Sequence, residues 1–472
     1  MATTGSTRIA RPSPIVADEQ GRLRARDGIS REVVGELSKI KGEPGWMAEK
    51  RLRALEIFER TPPPTWGPDL SALKLADLVL YSPPMSGGFD GRDDVPTEMH
   101  RTYEDLNIPH SEREHLAGLA GLPGLAGGGS REPAYDGLTQ EYAKQGILFC
   151  SMDTAVAEYP ELVEKCFMSQ CVPARANKFT ALHGAVWSGG AFCLIPKGVK
   201  CELPLQSHFR IQGAGEGTFE HTLIVAEEGS EVNYIEVCTA QSTSVNSMHC
   251  AVVEIFVHEG ARARHTTVQN WSRDAQTVDT KRALVDAHGT IEWVGCSMGA
   301  RHMVLHPGSH LIGEGAHAEH LDVGVAGKGV RKDIGAKVMH LAPNTTSKIL
   351  AKSISKDGGI VGYRGLVEMG ANSQGSKAHL RGDGLTMDDR SKSDTWPEIQ
   401  IQNPHATVAH ETTAGRISAD QLFYMGSRGF TEAEAEAMIV NGFVEPVTRE
   451  LPIEYAVELN RLIQLEMVGS IG

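Results

Sequence analysis

Between about residue 176 and residue 415 the chain runs in short apolar alternations. Each is closed by Gly, Asn or Asp. AFCLIPKGV, HTLIVAEEGSEVNYIEV, CAVVEIFVHEGARARHTTVQNW, GTIEWVGCSMG and AEHLDVGVAGKG are the clearest examples. A two-residue period in segments of about 5–8 residues predicts strands with turns between them. Asn-Gly is absent from this stretch, and Asp-Gly occurs only at Asp357 and Asp383. A string of two-residue hairpins is therefore disfavoured. Repeated strands with glycine corners fit a β-helix, in which each rung stacks on the last, or else a jelly roll or sandwich. The pattern alone leaves both open.

The flanks change period. Residues 1–28 are polar and read as a disordered or loosely attached tail. Residues 29–175 read as α-rich. Ser30 is placed to cap a first helix, GEPG (Gly42 to Gly45) breaks it, and Leu52, Leu55 and Phe58 mark a second. TPPPTWGPD is a proline-rich connector. The run HLAGLAGLPGLAGGGS at 115–130 has too much glycine to hold a helix and reads as a flexible insertion. LTQEYAKQGILF and TAVAEYPELVEKCF read as helices. From 416 to 472 three more are expected. The first runs from Ser418 to a stop at Gly429, the second from Thr431 to a stop at Gly442, and the third carries Ala456, Leu459, Ile463 and Met467 on one stripe.

Composition sharpens this picture. Glycine is 51 of 472 residues, while Phe, Trp and Tyr number 12, 6 and 9. That balance disfavours a helical bundle and favours a long β structure with many tight turns. A net charge of −14 argues against a nucleic-acid coat. There is no apolar run long enough to span a bilayer and no apolar signal core, so a cytoplasmic protein is expected. Of the eight cysteines none forms CxxC, which makes a structural zinc site and disulfides poor expectations. Most should be small buried hydrophobes. Cys238, in YIEVCTA, shares its strand face with Tyr234 and Glu236, whereas Ile235 and Val237 take the other face. It is expected to be the least core-like of the eight. Five histidines (His302, His306, His310, His317 and His320) look metal-like by count, but their spacing fits an exposed β-helix face better.

NKFTALHGAVWSGGAFCLIPKGV, TVQNW, AGKGVRKDIGAKVMHLAPNTTSKILAKSISKDGG, YRGLV, DQLFYMGSRG and MIVNGFVEPVTRELPIEYAVELNRLIQLEM resemble the SufB/SufD family of iron–sulfur cluster assembly proteins, on its SufB side, over residues 140–472. The resemblance implies a right-handed parallel β-helix flanked by α-helical N- and C-terminal domains. It implies a scaffold without turnover of its own, not an enzyme, holding a transient iron–sulfur cluster. Its partners would be a SufC-type ATPase and a SufD-type paralogue or a second copy, with sulfur supplied by a cysteine desulfurase relay. Whether flavin binds such a complex is left open.

By the same resemblance Cys238 is the sulfur acceptor, and Arg210, Gln269, Trp271 and Lys281 line an internal sulfur passage. A cation beside Cys238 would lower its pKa and raise its reactivity. His410 and Glu411 match the family's cluster-site pair. Adjacent strand residues point to opposite sides, so both can serve one site only at a strand end, a bulge or a subunit edge. Gln421, Phe423, Tyr424 and Arg428 fall in the region that docks the ATPase. One departure stands out: where the family has a cysteine before Asp383, this chain has Gly382, and no cysteine follows Cys296. That weakens the cluster site. It also admits a divergent paralogue serving as a structural partner of the ATPase. A β-helix enzyme acting on polysaccharides would need clustered acids, for which Asp383, Asp388 and Asp389 are the candidates.

Overall fold

Each long strand of the central region pairs in parallel with a strand roughly thirty residues further on, the spacing of a solenoid rung. Glu231 stands opposite Arg262, which stands opposite Thr290, and the column continues through His317, Thr346, Lys377 and Thr407. A sandwich built from hairpins would show antiparallel neighbours close in sequence. The fold is therefore a parallel β-solenoid of about 7 turns with helices at both ends of the chain. The computed structural model describes residues 13–17, 22–26, 28–65, 67–71, 73–81, 118–119, 142–202, 204–211, 215–240, 246–450 and 456. Most of the polar tail, most of the Leu/Gly insertion and nearly all of the third C-terminal helix lie outside the described residues.

Two sheets form the solenoid walls. One contains Leu205–Ile211, Glu231–Ala240, Arg262–Asn270, Thr290–Met298, His317–Ala326, Thr346–Ser355, Lys377–Thr386 and Thr407–Arg416. The other contains Gly189–Ile195, Glu220–Ala226, Val252–Val257, Gln276–Val285, Arg331–His340, Ile360–Met369 and Lys392–Ile401, with His302–Leu305 and Gly308–Leu311 sharing one rung. One corner repeats in every turn. Gly198, Gly229, Gly260, His288, Gly315, Asn344 and Gly375 all have φ between 56° and 73°. Each N–H in this column donates to a carbonyl of the next rung, as Gly229 does to Glu259 at 2.9 Å. The abundant glycine thus serves rung corners, which need the left-handed conformation, and not hairpins.

The apolar core lies between the two sheets. The outer faces are covered separately. The helices Arg31–Ile40, Gly45–Arg60 and Lys178–Val186 pack Leu37, Leu55 and Val186 onto Val278 and Val304 of the second sheet. Ser30 caps the first of them. The helix Glu432–Thr448 lays Val440, Val444 and Val447 on Ile235, Val268, Val294 and Val323 of the first sheet. Among the described residues no helix is long and apolar enough to cross a membrane.

Three local expectations change. Gly442 does not stop its helix, which continues through Pro446 to Thr448. Buried valines lie on both sides of Gly442, and that packing outweighs the ~1 kcal/mol glycine penalty. The end of LTQEYAKQGILF is extended: Leu148–Ser151 pairs antiparallel with Ala191–Leu194. NKFTALHGAVW, just past residue 175, forms a helix under an Asn177 capping box before the first rung begins at Gly189.

Candidate functional site

Alternation along Glu231–Ala240 puts Tyr234, Glu236 and Cys238 on the solenoid interior, all 1% exposed or less. The shared face was legible in the sequence, but its meaning is reversed. Cys238 is completely buried, and the less buried cysteines are Cys150 and Cys166. Polar company marks no exposure here, because the interior of these rungs is itself polar.

Glu236 anchors that interior. Its Oε1 is ion-paired with Lys281 Nζ, and Cys238 Sγ donates to the same oxygen at 3.8 Å. Lys281 Nζ also donates to Thr267 Oγ1 at 2.9 Å, and His265 Nε2 lies 3.5 Å from the second Glu236 oxygen. One rung on, Gln269 stands opposite Cys238, and its Nε2 donates to Asp279 Oδ2 at 2.7 Å. Asp279 Oδ1 is 2.8 Å from His249 Nδ1, and His249 Nε2 is 2.7 Å from Glu220 Oε2. The Trp271 ring sits on His249 with centroids 4.6 Å apart. The structure thus gathers Cys238, Gln269, Trp271 and Lys281. Of Arg210 only the backbone is described, opposite Thr239.

The electrostatics follow from burial and pairing. Burial pushes the Cys238 thiol well above its ordinary range, and the Glu236 carboxylate pushes it the same way; Lys281 offsets only part. The expected activation of Cys238 by a nearby cation is therefore not what the resting site holds, because Lys281 is committed to Glu236. Burial opposes ionisation of Glu236, but Lys281 and His265 outweigh it and hold the carboxyl well below the usual range. Burial likewise works against His249⁺, yet Asp279 and Glu220 outweigh it and raise the imidazole to about 10. The site is a neutral thiol beside a buried carboxylate–ammonium pair. Glu236 is the group within reach of the thiol proton. Glu236 was recoverable from YIEVC by its i−2 spacing to Cys238; His249, Asp279 and Glu220 come from other rungs and carried no local signal.

From Cys238 the interior can be followed rung by rung. One row reads Tyr234, His265, Trp293, His320, Ile349, Leu380, His410; the next Glu236, Thr267, Gly295, Asp322, Ala351, Gly382, Thr412; the third Cys238, Gln269, Ser297, Gly324, Ser353, Gly384, Ala414. Asp322 is buried, its Oδ2 has no hydrogen-bond partner, and burial raises it to about 7. His410 lies in the last rung, in register with the interior row, and is exposed, since among the described residues no further strand pairs beyond it. Its Nε2 is 2.9 Å from Thr412 Oγ1. Glu411 takes the opposite face, 3.2 Å from His379 Nε2. The strand is regular, so the pair is split across the sheet at the solenoid's free edge.

Other expectations resolve by geometry. Asp383, Asp388 and Asp389 do not converge. Asp383 holds Lys352 and Thr413, Asp388 accepts from the backbone of Asp357, Arg390 and Ser391, and Asp389 pairs with Arg416. The five histidines do not share an exposed face. His320 is buried against Ser309 inside the solenoid, and His306 is half-buried outside it on Asp333. Strand alternation sent neighbouring histidines to different sides. Among the described residues no group of three or more His, Cys, Asp or Glu could hold a metal ion. In the helix Ala419–Ser427, Phe423 and Tyr424 are exposed, whereas Leu422 packs against the outer-face cluster. Gln421 turns back on Ser418 N to complete a capping box, and Arg428 Nη2 donates to Tyr424 Oη at 3.0 Å.

The fold is a parallel β-solenoid with helical flanks and a buried thiol among polar side chains, and comparison with known proteins names its family. Residues 209–443 match the model described as SUF system FeS cluster assembly, SufBD core domain, and residues 134–207 match the SufBD protein N-terminal region. An iron–sulfur cluster assembly SufBD family protein of Staphylococcus epidermidis is 45% identical over 450 residues, covering 95% of each chain. Counterparts in Staphylococcus haemolyticus (45% over 450 residues, 95% of each chain) and Staphylococcus aureus (44% over 455 residues, 96% of each chain) are similar. The chain belongs to the SufBD family of iron–sulfur cluster assembly proteins.

Proposed function

We propose that this chain is the SufB-type scaffold of a cytoplasmic SUF assembly complex, loading sulfur on Cys238 and building a nascent cluster at the open end of the solenoid. The observation that carries the reading is the Cys238–Glu236–Lys281 arrangement buried inside the solenoid. An apolar core has no use for it, since a buried ion pair is rarely a gain in stability over packed hydrophobes. As the Cys238 sulfur attacks the outer sulfur of a donor persulfide, the donor's S–S bond breaks and the Cys238 proton passes to the departing donor sulfur, because Glu236, held ionised by Lys281, is too weak a base to keep it. The new S–S bond leaves a Cys238 persulfide, and the donor departs as its thiol. Lys281 steadies the persulfide anion. Gln269, Trp271 and, by family resemblance, Arg210 line the path that follows. His410 and Glu411, on the last described rung, would meet a paralogue or second copy. Phe423 and Tyr424 offer an exposed apolar surface for a SufC-type ATPase. Glu432–Thr448 covers the outer sheet face, so removing the chain from 416 onward strips that cover as well as the docking helix.

Gly382 favours a second reading, in which the chain is a SufD-like structural partner of the ATPase that holds no cluster. One experiment separates the two. The protein is incubated anaerobically with a cysteine desulfurase relay and cysteine, and protein-bound sulfane sulfur is measured by mass. One added sulfur that disappears in Cys238→Ala, with the fold retained, is the expected result. Equal loading of the variant removes Cys238 from the mechanism, and no loading of the wild type leaves the structural-partner reading.

A further inference from the structure

The interior row that begins at Glu236 opens one rung past Thr267. It reads Glu236, Thr267, Gly295, Asp322. Thr267 Oγ1 accepts from Lys281 Nζ at 2.9 Å, and Gly295 carries no side chain. Asp322 leans back into that gap, since a Cβ at Gly295 would fall on its Oδ1. The lean reaches a cavity of about 10 Å³, bordered by Thr267, Gly295, Ser297 and Asp322 from the first sheet and by Leu305 and Ile334 from the second. One water needs ~10–15 Å³ and two to four polar partners. Two partners stand ready. Asp322 is 7% exposed, and its Oδ2 is buried without a hydrogen-bond partner. Thr267 Oγ1 has two lone pairs, of which Lys281 takes one, while His265 Nδ1 lies 3.2 Å away as acceptor for its O–H. A water in the cavity bridges Asp322 to Thr267, and through Thr267 to the ammonium that holds Glu236.

Charge gives that bridge its consequence. Around Cys238 the interior sets three carboxyl groups, Glu220, Glu236 and Asp279, against two cationic ones, Lys281 and His249. A persulfide anion on Cys238 adds a further negative charge. An ionised Asp322 would add another in the same low-dielectric interior. Burial raises the Asp322 carboxyl to about 7, with Lys281 opposing. Other groups that face it are set away from neutral pH. Burial, helped by Asp322 itself, holds the Tyr363 hydroxyl well above its ordinary range. Burial brings Cys296 up to about 12 and His320, on the same strand, down to about 3. Burial also lowers His265. It works against the Lys281 ammonium too, but Glu236 and Asp279 outweigh it there. Lys332, on the facing strand Arg331–His340, donates to the Gly299 carbonyl at 3.0 Å. Asp322 is thus a carboxyl able to change charge as sulfur arrives.

We propose that Asp322 is a positioning residue of the Cys238 site: through one water seated over Gly295 it is joined to the Thr267–Lys281 pair, and it takes up a proton when Cys238 becomes a persulfide anion. The proposal rests on the sulfur-acceptor reading of Cys238 and adds a regulating group to it. The proton comes from solvent, and no bond but the carboxyl O–H changes. Neutral Asp322 leaves Lys281 to be shared between Glu236 and the persulfide. Ionised Asp322 competes for the same ammonium. The Asp322 pKa is therefore higher in the loaded protein than in the unloaded one, so loading is strongest below pH 7 and weakens as pH rises through it.

The test is persulfide exchange on the full chain, with glutathione persulfide and glutathione at a fixed ratio, and with sulfur on Cys238 read by mass. Ionisation of the donor is common to every protein, so wild type is read as a ratio to Asp322→Asn. That ratio should fall about tenfold between about pH 6 and about pH 8, the equivalent of one unit of pKa change on loading. In infrared spectra the protonated-carboxyl band that is missing from Asp322→Asn should persist to higher pH in loaded wild type than in unloaded. Gly295→Ala keeps Asp322 but places a methyl where its Oδ1 lies. The tip of the carboxylate can move aside, so the fold should be kept while the pH step shrinks. Should Asp322→Asn not fold, the wild-type band, loaded against unloaded, carries the test. Sulfur on wild type with a pH profile parallel to that of Asp322→Asn, or a band unmoved by loading, overturns this proposal alone. A full step in Gly295→Ala overturns the seat over Gly295. Absence of sulfur from wild type at every pH overturns the Cys238 reading and this proposal with it.

Discussion

The same interior rows have two characters along the solenoid. From the Cys238 strand to the strand His317–Ala326 they hold Glu236, His265, Gln269, Trp293, His320 and Asp322. In the next two rungs the same positions hold Ile349, Ala351 and Ser353, then Leu380, Gly382 and Gly384. Geometry is equal in both stretches, since parallel register in this sheet is unbroken from Glu231 to Arg416. The difference is therefore chemical. Buried charge in the early rungs opposes folding unless each group finds a partner, and the hydrogen-bonded mesh around Glu236, Lys281 and Asp279 is that partner set. In these rows the late rungs carry small and aliphatic groups, so reactive side chains reappear there only on the last described strand, with His410 and Thr412. A solenoid can thus separate a buried thiol site from an edge site while keeping one continuous wall between them.

The strongest way to break the comparison is to remove one charge from the early mesh. Lys281→Met leaves the Glu236 carboxylate buried without its ammonium, and a loss of about 3–5 kcal/mol is expected in chemical denaturation. Glu236→Gln combined with Lys281→Met should recover most of that loss, because no uncompensated charge remains. A single variant as stable as wild type would mean that water enters the interior and the early rungs are not dry. Matched aliphatic substitutions at Ile349 should show no comparable rescue behaviour, since no partner is left behind there.

Asp322 marks the boundary between the two stretches and gives a pH test. Burial raises its carboxyl to about 7 from an ordinary value of 3.8, with Lys281 opposing weakly. Its folded pKa is above its unfolded one. The stabilisation it contributes is full below about pH 4 and is lost as pH rises through 7. Wild type should therefore lose a few kcal/mol more than Asp322→Asn between pH 4 and 8, an order-of-magnitude figure from the size of the shift. Glu254, raised to about 8 by burial beneath the Met168–Val172 segment, titrates over an overlapping window. It is present in both proteins, so the difference between their denaturation midpoints isolates Asp322. Parallel pH profiles would show that Asp322 is solvated.

Much of this was legible in the sequence, and the failures have physical causes. The strands, the glycine corners, the caps at Ser30, Ser418 and Thr431, and the shared face of Tyr234, Glu236 and Cys238 all follow from local periodicity and turn chemistry. Whether that face looked inward did not, because the direction depends on where the second sheet lies. The polarity of YIEVC pointed the wrong way for the same reason: an interior lined with His, Glu and Lys from five rungs has no signature in any one of them. Gly442 and Pro446 read as helix enders, and the burial of Val440, Val444 and Val447 on a sheet far away in sequence overrode them. The histidines of 302–320 looked like one group because spacing in sequence cannot show alternation between wall faces.

The smallest expected effect on stability comes from giving the late rungs the group they lack. Gly382→Cys places a thiol in the row that begins at Glu236, one rung before Thr412 and on the face of His410. Gly382 is not in the left-handed region, so a side chain there meets no backbone strain. The new Cβ would meet Thr395 Cγ2 at 3.5 Å and Tyr363 Cδ1 at 4.0 Å, ordinary contacts. Stability should change by less than about 1 kcal/mol, as for other substitutions without clash, cavity or orphaned polar group. Cluster retention should change more. Thiolate is a soft ligand for iron, and neither His410 nor Thr412 supplies one. After anaerobic reconstitution with iron and sulfide, the variant should keep its visible absorption longer than wild type under chelator challenge. The gain should vanish in Gly382→Cys with His410→Ala if the two groups bind one cluster. Unchanged lifetime in the single variant would place the limiting ligand elsewhere and leave the late rungs as wall alone.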